Sequence, residues 1–195
     1  MIRSVLPLIL LASVQSRAAG PSATDYTVYS AALDGAFSDR MSQDSGKAPR
    51  FVIRDSTESK GLVTAGLRTE FMRRQFGLFS SGYESTLDDF LSKNQTSAKL
   101  ARGAFSSRGT VEIATRKDLP PAEDPEKYWQ DYYRKFPRAR GLIALSRPGF
   151  DSDRKYALVY FHVTCGNLCG ERGYVLLRFI AGRWIVVRRI VTMMS

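Results

Sequence analysis

Apolar residues alternate with polar ones in the last third of the chain and recur at three- and four-residue intervals before it. The first pattern is that of strands and the second that of amphipathic helices. Four β-type runs are predicted at 142–146, 155–163, 174–180 and 183–191. In the second run Ala157, Val159, Phe161 and Val163 share one side, and Tyr156, Leu158, Tyr160 and His162 the other. Both sides are largely apolar, as in a central strand covered on each face. Ala181-Gly182 suits a two-residue hairpin loop, since glycine accepts positive φ. In the last run Trp184, Val186 and Ile190 share a parity with Arg188, and Ile185, Val187 and Val191 with Arg189. Short links between the runs imply an antiparallel meander.

Before the meander, Thr24 is a candidate cap for a helix from Asp25, with Tyr26, Tyr29, Leu33 and Phe37 along one stripe. Residues 38–49 read as a loop, 51–54 as a brief strand and 64–76 as a helix with Leu67 and Phe71 inward. Ser80-Ser81-Gly82 reads as a break. Ser85 or Thr86 then caps a helix over 87–93, with Leu87, Phe90 and Leu91 facing inward. Residues 110–115 alternate as a strand. A helix over 123–136 has Pro125 in its first turn, an aromatic stripe of Trp129, Tyr132, Tyr133 and Phe136, and Pro137 as its stop. The expected class is α+β, with N-terminal helices packed on a C-terminal antiparallel sheet of four or more strands, in a bent, cone-like variant at the limit.

Residues 1–20 have the layout of a secretory signal peptide. Arg3 precedes an apolar run over 5–14, and Ser16-Arg17-Ala18 or Ala18-Ala19-Gly20 gives a small-residue exit. The expectation is a single α+β domain over 21–195, periplasmic or secreted, without a transmembrane segment once the leader is removed. Net charge is +10 for the chain and +8 once Arg3 and Arg17 leave with the leader. Basic residues concentrate at 47–74 and again at 171–189, where Arg172, Arg178, Arg183, Arg188 and Arg189 are candidate partner-binding groups. In an exported protein such a field points to an unknown protein, a small ligand or an anionic envelope surface, and not to physiological nucleic acid.

Chemistry-bearing residues are few. Cys165 and Cys169 are the only cysteines, and in an oxidising compartment a disulfide is the leading reading. A redox pair is an alternative, although three residues separate the cysteines where the familiar motif has two. A metal site of His162, Cys165 and Cys169, completed by Asp151, Asp153 or Glu171, is another. No cofactor or metal is expected on the leading reading. His162 is the only histidine, so catalysis would have to use it, with Tyr160, Arg147 or an acidic group at the sheet end. No nucleophile motif precedes it. The residues therefore favour a non-catalytic module that binds a partner or ligand. The alternative is an enzyme of unknown class, hydrolysis being one candidate reaction, with a sheet-end site around His162.

Phe136-Pro137 with Gly141, Leu145-Ser146-Arg147 with Gly149-Phe150, Ala157-Leu158-Val159-Tyr160, Cys165-Gly166 with Leu168-Cys169-Gly170, and Gly173-Tyr174 with Leu177 form a pattern over the C-terminal third. It resembles a family of exported bacterial proteins of unknown function, which implies export and assigns no catalytic residue. The order of helices followed by a bent sheet is also similar, in architecture alone, to NTF2-like and cystatin-like α+β folds. That likeness implies either a ligand held in the cone or a plain interaction module.

Overall fold

The computed structural model describes residues 20–37, 47–61, 63, 67, 74–75 and 80–195. Residues 1–19 of the proposed leader lie outside them, as does most of the helix expected over 64–76. Within that segment residues 74 and 75 are helical and Leu67 is buried.

Helix α1 spans Ala23–Ala32 and runs on into a π-helical turn, Leu33–Phe37. Its cap is Ser22, not Thr24. Ser22 Oγ accepts from the Asp25 N–H at 3.3 Å, and the Asp25 carboxylate accepts from the Ser22 N–H at 2.9 Å. This reciprocal pair satisfies two otherwise orphaned donors, which a lone threonine does not. Helix α2 is Ser80–Lys93, about two turns longer than expected, because it runs through the Ser-Ser-Gly segment. A glycine inside a helix costs only about 1 kcal/mol, and burial of Leu87 and Phe90 outweighs that. Helix α3 is Pro125–Lys135, with Asp124 Oδ1 accepting from the N–H groups of Glu126 and Lys127.

The strands are β1 (Arg50–Arg54), β2 (Thr110–Ala114), β3 (Ala139–Leu145), β4 (Gly149–Phe150), β5 (Tyr156–Gly166), β6 (Cys169–Ile180) and β7 (Arg183–Met194). They form one open sheet in the order β2-β1-β3-β5-β6-β7, with β4 paired beside β5. The expected meander is its larger half. The other half is parallel, because β1 lies between β2 and β3 and runs parallel to both. The sheet is therefore mixed.

Strand parity then assigns the layers. Val159, Phe161 and Val163 face α1 and the π-turn in a cluster with Tyr29, Leu33 and Phe37. Leu158 and Tyr160 face the opposite way and pack with Leu87 and Phe90 of α2. Tyr132 and Phe136 of α3 cover Val52 and Leu142 on that same side. Burial of β5 on both faces matches its apolar sequence. At the Ala181-Gly182 turn both residues have positive φ, 49° and 80°, as a twist-compatible two-residue hairpin requires.

Strand β7 departs from simple alternation. Leu176 pairs with Arg188 and Leu177 with Val186, so Val187 is an extra residue; Thr192 is another. Each bulge reverses the facing of everything beyond it. Trp184, Val186, Arg189 and Val191 therefore share the α1 side, while Arg188 and Ile190 lie on the α2 side. The sequence parity had grouped Arg188 with Trp184 and Val186.

Candidate functional site

The turn between β5 and β6 is built by the cysteines. Thr164 pairs with Gly170 and Gly166 with Cys169, which leaves Cys165 as a bulged residue. Its side chain meets Cys169 in a disulfide with the Cα atoms 5.0 Å apart. Closing so short a loop contributes about 2 kcal/mol on the chain-entropy account. The bridge chiefly fixes the shape of the rim. Two other segments are tied to it. The Tyr133 hydroxyl of α3 donates to the Cys165 carbonyl at 2.8 Å. Ser195 and Gly170 exchange backbone hydrogen bonds of 3.0 and 3.1 Å.

Between these three segments lies a groove of about 550 Å³. Its wall carries Tyr133, the bridge, Glu171 and two arginines that the sequence reading passed over, Arg138 and Arg140. Arg138 is exposed and sits in left-handed backbone, φ 70°. That conformation costs an ordinary side chain roughly 1–2 kcal/mol. It arises where α3 stops at Pro137 and the chain must reverse into β3. The available signal was the basic tetrad Pro137-Arg138-Ala139-Arg140 directly after a helix stop.

His162 and Tyr160 point to the α2–α3 side of the sheet. His162 is half-buried between its strand neighbours Ala144 and Arg172, with Nε2 3.5 Å from Thr164 Oγ1. Burial lowers its pKa below the usual 6.5; Glu58 opposes that shift, and Arg54 and Arg172 reinforce it. Tyr160 is 1% exposed, and burial raises its pKa. Arg147 lies in the link between β3 and β4. Its main chain is clamped by Asn94, whose Oδ1 accepts from the Arg147 N–H at 2.8 Å and whose Nδ2 donates to the Arg147 carbonyl at 2.9 Å. Its positive charge opposes the rise that burial imposes on the Tyr29 pKa. Ser146 is fully buried, and its Oγ accepts from the Tyr160 N–H at 2.8 Å.

With both sulfurs in the bridge, Cys165 and Cys169 offer no thiolates to join His162 as ligands. Among the described residues no three His, Cys, Asp or Glu side chains cluster as a metal site would.

The five C-terminal arginines are dispersed. Arg189 lies inward, paired with Glu171 and set over the rings of Phe161 and Phe37, 4.6 and 5.4 Å from their centroids. Arg188 donates to the Gln75 carbonyl at 2.5 Å. Arg172 flanks His162. Only Arg178 and Arg183 are exposed, both near the β6–β7 turn. Comparison with family models, with curated proteins and with solved structures finds no match to this chain.

The lowered pKa of His162 sets the sign of a pH effect. The folded chain takes up this proton less readily than the unfolded chain. Stability is therefore lost as pH falls from about 6.5 toward the lower folded value, and the loss levels off below it. Thermal melts should show the native protein losing more between pH 7 and pH 5 than His162→Gln loses. Equal losses would mean that the imidazole is not held neutral.

Proposed function

We propose that the chain is an exported, non-catalytic binding module that holds a carboxylate-rich segment of a partner in the groove at the disulfide rim. One observation carries this reading. A rigid, bridged turn, a tyrosine and a strained, exposed arginine border a single open groove. Strain kept at an exposed residue that packs no core is a mark of use. The basic charge of the chain favours an anionic partner. The groups suited to chemistry have other engagements: the cysteines are bridged, Ser146 is buried and hydrogen-bonded, and the main chain of Arg147 is clamped by Asn94. Export rests on the leader-like residues 1–20 and on the bridge, which fits an oxidising compartment.

Hexaglutamate is a suitable probe of the groove, titrated calorimetrically at low salt. Arg138→Gly removes the cation and also relieves the left-handed strain. It should weaken binding about fivefold, the worth of one exposed charge contact, while leaving stability within about 1 kcal/mol of native. Opening the bridge with Cys165→Ser and Cys169→Ser should weaken binding as well. Native affinity in both variants would refute the assignment.

A further inference from the structure

At the opposite end of β6 from the disulfide, the β6–β7 turn carries a second exposed constellation. Phe179 and Ile180 are 45% and 41% exposed although both belong to a strand. Arg178 and Arg183 flank them in the hairpin. Arg154 and Lys155 stand alongside in the turn before β5, where the Phe179 N–H donates to the Lys155 carbonyl at 2.8 Å. All four cations are exposed. Lys155 is balanced by Asp153 at 2.9 Å, and Asp151 is buried against the Tyr156 N–H. Three arginines therefore set the charge at this end.

The tip is preformed. Phe179 packs on Trp184 with centroids 5.2 Å apart, and Trp184 packs on Phe150 at 5.7 Å. This aromatic stack roots the hairpin in the core through a tight turn. Little ordering entropy is left to lose when the tip meets a surface.

Strand parity identifies the kind of surface. Phe179 pairs across from Trp184 on the α1 side, and Ile180 pairs across from Arg183 on the other. The two apolar side chains project to opposite faces of the hairpin, so a partner seated on either face of the sheet would cover one and leave the other in water. A plane lying across the ends of the strands covers both. That plane also meets Arg154, Arg178 and Arg183 at its rim, where long basic side chains keep their charge at the level of lipid headgroups.

We infer that the β6–β7 tip docks on an anionic lipid bilayer, with Phe179 and Ile180 entering the headgroup region and Arg154, Arg178 and Arg183 meeting lipid phosphates. This site is separate from the rim groove, and neither depends on the other. Two apolar side chains and three cations make a weak, reversible and salt-sensitive attachment.

The test is co-sedimentation of the mature protein with vesicles of phosphatidylcholine alone and with 30 mol% phosphatidylglycerol. The expected result is binding to the anionic vesicles only, reduced at high salt. Arg178→Ala with Arg183→Ala should weaken it about twenty-five-fold at low salt, each cation near the surface counting for about a factor of five. Ile180→Ser alone, which leaves the Phe179–Trp184 stack in place, should weaken it at all salt concentrations. Circular dichroism melts confirm that the variants are folded. Native binding by both variants, or no binding of the native chain at low salt, overturns the proposal. So does binding to immobilised hexaglutamate that needs Arg178 and Arg183 without any vesicle binding, which would give the tip to an acidic protein.

Discussion

Arg189→Ala should destabilise the protein by about 2–3 kcal/mol. The side chains of Arg189 and Glu171 are 13% and 16% exposed. Losing one member of such a pair weakens the compensation of the other's charge in a poorly hydrated place; fully buried pairs cost about 3–5 kcal/mol, and residual exposure here lowers that figure. The guanidinium also lies over Phe161 and Phe37, each contact adding roughly 0.5–1 kcal/mol. Arg189→Met combined with Glu171→Gln should recover part of the loss, because a neutral pair can share the site. Denaturant unfolding of Arg189→Met, Glu171→Gln and the double variant gives the coupling energy directly. Additive losses would show that the pair does not act as a unit. By contrast Arg183→Ala, at the exposed turn, should leave stability within about 0.5 kcal/mol of native.

Gly149→Ala should cost about 3 kcal/mol. A methyl group at Gly149 would lie 2.4–2.6 Å from Phe90 Cβ, Cα and N. Most of that contact is helix backbone, which cannot swing aside as a side-chain tip can, so the cost falls at the upper end for overpacking. The same approach lets the Asp89 carboxylate accept from the Phe150 N–H at 2.7 Å while Lys93 binds Asp89 at 2.6 Å. Moving α2 outward would loosen these together. Chemical denaturation should show a lowered midpoint with an unchanged slope. A midpoint equal to native would mean that α2 is not seated on β4.

The meander was legible because its strands are long, rich in β-branched and aromatic residues, and join through short turns. The hairpin at Ala181-Gly182 and the Cys165–Cys169 bridge follow from those turns. The parallel half was not. β1 and β2 are five-residue strands whose partners lie far along the chain, and nothing in Arg50–Arg54 names Thr110–Ala114 or Ala139–Leu145 as its neighbours. The facing of the arginines was also hidden. Val187 is an ordinary strand residue in sequence, and only pairing reveals it as the bulge that turns Arg189 to the α1 side. The rim groove draws on α3, the β5–β6 turn and the end of β7. Its cysteines were visible in sequence, but Arg138 took on meaning only when the chain reversal after Pro137 placed it beside them.

The claim at the centre of this account is that a carboxylate-rich segment binds at the disulfide rim. An amide chemical-shift titration of the isotope-labelled protein with hexaglutamate tests it most directly. The account predicts saturable shifts at Tyr133, Arg138, Arg140 and the 165–170 turn, all lost in Arg138→Gly. Shifts centred on His162 and Glu58 instead, with the rim unmoved, would contradict it and place the binding site on the α2–α3 face of the sheet.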